Sequence, residues 1–184
     1  MRLFDLKGKV AVVTGGSKGI GRAICIAMAE HGASVVVSSR KLDACEEVVK
    51  EIQGKGGKAK AIACNIGYRE QVEALVNGTR AAFGKIDIMV CNAAINPHAG
   101  PLSEVTDSLF DKVMASNVRS NLWLANLTIP EMAARKDGVV IIVSSIAGMR
   151  GAGSIGLYGI SKAADFQLGR QLATEWGPSN IRVN

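Results

Sequence analysis

Tyr158 and Lys162, in the run YGISK, stand four residues apart, which on a helix sets a phenol and an ammonium side by side on one face. An ammonium there favours the phenolate, so the tyrosine can exchange a proton with an alcohol or a carbonyl oxygen. Ser144-Ser145 closes the apolar run GVVIIVSS, with Ser145 lying 13 residues before Tyr158. A hydroxyl at the C-terminal end of a strand can donate to an oxygen on which charge develops, although serines at strand ends also cap turns.

A second constellation lies near the start. VAVVTG runs into Gly15-Gly16-Ser17-Lys18-Gly19-Ile20-Gly21 and then into the helical stretch RAICIAMAEHG. So tight a strand-to-helix turn needs backbone without Cβ, so that a pyrophosphate can approach the N–H groups at the helix start. Gly15, Gly19 and Gly21 supply it, in the spacing GxxxGxG, which shares the mechanism of the GxGxxG dinucleotide fingerprint but not its pattern. About 20 residues further on, where an NAD site would carry an acid for the ribose 2′-hydroxyl, the chain offers Ser39 and Arg40. A hydroxyl and a guanidinium accept a 2′-phosphate that an acid would repel, which predicts NADP(H). Lys18, inside the turn, is a second cation for that phosphate.

These groups need a scaffold, and the apolar pattern predicts one. Short β-branched runs at 10–15, 34–39, 60–64, 86–92, 138–145 and the final IRVN alternate with segments of helical period at about 19–31, 42–54, 68–83, 106–135 and 156–177. Alternation of this kind is expected to give an α/β fold, a doubly wound parallel sheet with helices on both faces in a three-layer αβα sandwich. Near-continuous apolar character predicts central strands buried on both sides. Glycines at 32, 54, 84 and 177 are expected to stop helices, Thr106 to cap the fourth, and Pro130 to kink it or limit it to the residues before. Residues 1–184 read as one domain, truncated at the sixth strand, because IRVN has the composition of a strand that should continue into more sheet.

Composition narrows the function classes. Of 184 residues 48% are hydrophobic and 21% charged, which excludes disorder and fibrous repeats. There is no apolar window of membrane-spanning length and no secretory leader in MRLFDLKGKVAVV, so a cytoplasmic protein is expected, without membrane contact. Cys25, Cys45, Cys64 and Cys91 are spaced about 20 to 27 residues apart, and the chain has two histidines, so neither disulfides nor a metal site is expected. The net charge of +6 is scattered, and no basic stripe with interleaved aromatics points to nucleic acid. His98 reads as a solvated loop residue.

Taken in order and spacing, TGGSKGIG, CNAA, ASNVRSN, IVSSIAG and YGISK resemble the short-chain dehydrogenase/reductase family over essentially the whole chain. The resemblance implies a Rossmann fold and a tetrad of Asn117, Ser145, Tyr158 and Lys162, with Tyr158 as acid/base and Ser145, rather than Ser144, as carbonyl holder. Lys162 would contact the cofactor ribose, and Asn117 would steady a water leading protons to Lys162. Cofactor contacts are implied at Gly15, Ser17, Lys18, Gly19, Ile20, Gly21, Ser39, Arg40, Asn65, Ile66, Asn92, Ala93, Ala94, Tyr158 and Lys162. Asn92-Ala93-Ala94 departs from the family's usual Asn-Ala-Gly, and Asn65 stands where an acid often contacts the adenine. NAAINP and VVVSSRK resemble the carbonyl-reductase branch, with 3-oxoacyl reduction as the alternative substrate class. The implied reaction is hydride transfer between NADP(H) and a carbonyl or secondary alcohol, in a homodimer or homotetramer formed through the fourth and fifth helices. Trp123, with Leu122, Leu124 and Leu127, makes the fourth helix apolar enough for such a partner. In this family the chain continues beyond the IRVN strand into nicotinamide contacts and a substrate lid. If it ends at Asn184, the alternative is a nucleotide-binding or oligomer-forming protein without turnover.

Overall fold

In β1 (Val10–Thr14), β2 (Ser34–Ser39) and β4 (Ile88–Cys91) nearly every side chain is buried, because successive residues point to opposite faces and both faces are covered. The structure, a computed structural model, describes residues 4–184. With β3 (Lys58–Ala63), β5 (Gly138–Ile142) and β6 (Ile181–Val183) these strands form one parallel sheet in the order β3-β2-β1-β4-β5-β6. The register runs Val12↔Val36 across β1 and β2 and Val12↔Met89 across β1 and β4.

Two separate cores follow from the two faces. Ala11, Val13, Val35, Val37 and Val90 pack with α1 (Gly19–Glu30) and α2 (Leu42–Gly54), through Cys25, Cys45 and Ile52. Val12, Val36, Met89 and Val140 pack with α3 (Arg69–Phe83), α5 (Ser120–Ala134) and α6 (Gly156–Trp176), through Leu75, Leu124 and Leu172. Full burial of a single valine or leucine is worth about 1.5–3 kcal/mol, enough to place the VAVV and SVVV runs centrally. The result is a three-layer, doubly wound Rossmann-type sandwich. Among the described residues no helix is long and apolar enough to cross a membrane.

Four expectations need adjustment. The third strand starts earlier than expected, at Lys58, and lies at the sheet edge rather than centrally, with Lys58 and Lys60 exposed. Lysines on an open edge discourage pairing with another chain. The expected helix over 106–135 is α4 (Asp107–Met114), a π turn (Ala115–Arg119) and α5 in unbroken succession. Thr106 caps it, accepting from the Leu109 N–H, but the helix continues past Pro130 to Ala134. Pro130 and Asn126, whose carbonyl loses its donor, are both exposed, so the missing bond falls on the solvent side of the helix. Finally, Gly177 keeps a helical φ of −55 in a short 3-10 turn, and Asn180 takes the left-handed conformation that reverses the chain into β6.

Candidate active site

The β1–β4 neighbourhood is where the strand order reverses, and the crevice at the C-terminal ends of these strands is the binding region of open α/β sheets. The turn after β1 is closed by contacts that only glycine allows. Gly15 has φ +66, and a Cβ on Gly21 would stand 2.2 Å from the Gly15 carbonyl oxygen. Asn92, just past β4, braces the turn, donating from Nδ2 to Thr14 O at 2.9 Å and to Gly15 O at 3.3 Å. Thr14 Oγ1 accepts from the N–H groups of Asn92 at 3.0 Å and Ala93 at 3.1 Å and donates to Val90 O at 3.2 Å.

Helix α1 opens on this turn without a side-chain cap from Lys18, and its first i→i−4 bond is Arg22 N–H to Lys18 O. The N–H groups of Gly19, Ile20 and Gly21 therefore have no acceptor within the helix, and no atom stands within 4 Å of where a Gly19 Cβ would be. Bare backbone, uncommitted N–H groups and open space suit a pyrophosphate. Ser17 is half-buried beside them and Ile20 exposed. Lys18 and Arg40 are exposed and, among the described residues, in no ion pair. The Ser39 hydroxyl is turned toward the start of α2, 3.1 Å from Cys45 Sγ and 3.3 Å from Lys41 O. Past β3, Asn65 Oδ1 accepts from Gly67 N–H at 3.1 Å, and the Ile66 side chain is buried in the core. Ala93 packs against that core and Ala94 is exposed.

The chemistry-bearing side chains meet where α6 begins. Lys162 Nζ lies 5.8 Å from the centroid of the half-buried Tyr158 ring. The Lys162 ammonium is itself buried and donates to Val143 O at 2.8 Å and to Asp165 Oδ2 at 2.9 Å. Burial pushes the Asp165 carboxyl up from its ordinary value, with the ammonium and the Asn121 amide acting against it. Of the two serines, Ser144 spends its hydroxyl on Lys162 O at 2.7 Å, whereas Ser145 Oγ accepts from Ala147 N–H at 3.2 Å and keeps its proton to donate. The turn Ile146–Gly148 docks on α6 by bare backbone, since a Cβ on Gly148 would stand 2.6 Å from the Lys162 carbonyl carbon. Asn117 is fully buried in the π turn, a helix irregularity common at functional sites. Its side chain is committed to Ile95 N and O and to Ser161 Oγ, and its own carbonyl accepts from Asn121 Nδ2 at 2.7 Å.

Residues 9–184 match the family model described as short chain dehydrogenase. The chain belongs to the short-chain dehydrogenase/reductase family. Among its relatives, Dehydrogenase/reductase SDR family member 4 of Mus musculus is 42% identical over 183 residues, covering 100% of this chain and 66% of the relative. The chain thus spans just under two thirds of that protein's length. A metagenomic short-chain oxidoreductase solved in complex with NADP is 34% identical, with a TM-score of 0.94 over 98% of this chain and 81% of the other. A 7α-hydroxysteroid dehydrogenase complexed with NADH and 7-oxo glycochenodeoxycholic acid is 38% identical, with a TM-score of 0.94 over 98% of this chain and 70% of the other.

Sequence reasoning about this chain missed three groups. Thr14 and Gly148 gave no signal beyond belonging to a strand end and a glycine-containing loop. Asp165 did carry one: three residues after Lys162 it shares that helix face, a charge where the helix turns inward. A depression of about 690 Å³ by Lys7, His31, Gly32 and Gly57 lies at the N-terminal ends of β2 and β3, the opposite sheet edge from these residues.

Proposed function

We propose that residues 1–184 form one dinucleotide-binding and catalytic unit that interconverts a carbonyl and a secondary alcohol with NADP(H). The observation that carries this reading is the phenol of Tyr158 beside the buried ammonium of Lys162, on the helix against which the Ser145 turn packs. In the reductive direction Tyr158 Oη gives its proton to the substrate oxygen, and in the oxidative direction it takes that proton back. The Ser145 hydroxyl donates to the same oxygen and holds it as charge develops. Lys162 supplies the positive charge that favours the phenolate, and Asn117 holds Ile95 and Ser161 so that the two sides of the crevice keep their spacing.

The uncapped start of α1 and the closed glycine turn support a pyrophosphate held by Gly15, Ser17, Gly19, Ile20 and Gly21, with Asn65, Ile66 and Asn92 to Ala94 lining the remainder. The bound dinucleotide supplies or accepts the hydride. Exposed Arg40 and Lys18, with no acid at the end of β2, support the phosphorylated form. Relatives solved with NADP and with NADH make this a choice that the chain's own residues decide. Exposed Phe110 on α4, and exposed Leu122 next to Trp123, whose ring the Arg119 guanidinium covers at 5.3 Å, support a homodimer or homotetramer through α4, α5 and α6.

The test is NADPH oxidation with a panel of ketones and aldehydes, comparing the natural chain with Tyr158→Phe. Equal turnover by both proteins rejects the assigned chemistry.

A further inference from the structure

Lys162 does not stand alone beside Tyr158. Its ammonium is 2.9 Å from Asp165 Oδ2, both side chains are almost wholly buried, and the other carboxylate oxygen accepts from Asn121 Nδ2 at 2.9 Å. Asn121 is in turn anchored to the carbonyl of Asn117 at 2.7 Å, so a buried chain of hydrogen bonds runs from the π turn through Asn121 and Asp165 to Lys162. A carboxylate set this deep has to be compensated, and Lys162 is the ammonium that compensates it. The partnership has a consequence for the phenol, because the field of an ion pair falls off faster than that of a lone cation.

We propose that Asp165, held by Asn121, is a positioning residue that keeps the Lys162 ammonium turned inward, and by part-neutralising it restrains ionisation of Tyr158. The groups facing this pair are Tyr158 on α6, Asn121 on α5, Val143 O after β5 and Cys91 at the end of β4. Among the described residues Cys91 is the further titratable group, and burial pushes its thiol up to about 12. The net charge beside the phenol is therefore set by Lys162 and Asp165 together.

This inference rests on reading Tyr158 as the proton-exchanging group, but its test follows ionisation rather than turnover. A Tyr158→Phe protein that still turned over would remove that reading, whereas a failed titration shift would remove the Asp165 role alone. The chain has two tyrosines, and Tyr68 is exposed at the start of α3, so Tyr68→Phe leaves Tyr158 as the sole source of phenolate absorbance. In that background Asp165→Asn should move the midpoint of the absorbance titration to lower pH by roughly one pH unit. Asp165→Glu, which keeps the charge, should return it toward its starting position. An unmoved midpoint, or one moved to higher pH, overturns the proposal, as does a Glu variant that departs further than the isosteric Asn. If Asp165→Asn does not fold, the natural chain with nitrogen-labelled lysine carries the test. One ammonium signal, lost in Lys162→Met, should show slow hydrogen exchange at neutral pH. Its absence overturns the proposal.

Discussion

Ile95 and Asn117 hold each other through a reciprocal pair of hydrogen bonds: Ile95 N–H donates to Asn117 Oδ1 at 2.8 Å, and Asn117 Nδ2 donates to Ile95 O at 2.9 Å. The same Nδ2 reaches Ser161 Oγ at 3.0 Å, so one buried amide ties the loop after β4 to the first turns of α6. Asn117→Asp keeps the shape and removes both donors, leaving a buried carboxylate against the Ile95 carbonyl. The expected loss is ~2–4 kcal/mol of unfolding free energy, read as a lower urea midpoint at unchanged slope.

Tyr158→Phe removes the proposed proton donor while keeping the ring that packs beside Lys162. Turnover should fall by ~10²–10⁴-fold, with the thermal midpoint close to that of the natural chain. A large drop in the midpoint would instead assign the hydroxyl a structural role.

Arg40→Ala should weaken NADP(H) binding by roughly ten-fold or more and leave NAD(H) binding nearly unchanged, because a charge-assisted contact to the 2′-phosphate is lost and nothing else changes. The difference should shrink as salt is added, since Arg40 is exposed. Equilibrium binding of the two dinucleotides checks both statements.

Gly21→Ala forces a methyl to within 2.2 Å of the Gly15 carbonyl unless the turn opens. The expected cost is ~1–3 kcal/mol of stability, together with weakened dinucleotide binding. Gly54→Ala is the matched control, because a Cβ there meets nothing within 4 Å.

Burial pushes the thiols of Cys25 and Cys91 from 9.0 up to about 12 and that of Cys64 up to about 11. The folded chain binds protons more tightly at these sites than the unfolded chain does. Their contribution to stability is therefore fully present below about pH 9 and is lost as pH rises from there through the folded values. Thermal midpoints should fall steeply over that alkaline window, and Cys91→Val should flatten the fall.

The helix and strand order was legible because each element is a local pattern: VAVV and SVVV are apolar on both faces, and α2 and α3 repeat at helical period. The motif residues Gly15 to Gly21 and Tyr158 to Lys162 were legible for the same reason, since each constellation lies within one turn or one helix face. Where the reading slipped, the cause was long-range. The alternation KAKAIA is compatible with a strand that is central or peripheral, and the sheet order decided for the edge. Pro130 is tolerated on the exposed face of α5, and which face is exposed depends on what packs against that helix.

By itself, then, the sequence determined the parallel α/β architecture and the family, both written in short-range spacing and apolar period. Only the tertiary structure decided that Thr14 and Asn92 lock the glycine turn to β4, that Ser144 is spent on a backbone carbonyl while Ser145 keeps its proton, and that Lys162 shares its charge with Asp165. These are contacts between atoms brought together by packing, often from residues far apart in the chain. Burial then sets their strength by removing the water that would otherwise compete for each donor and acceptor.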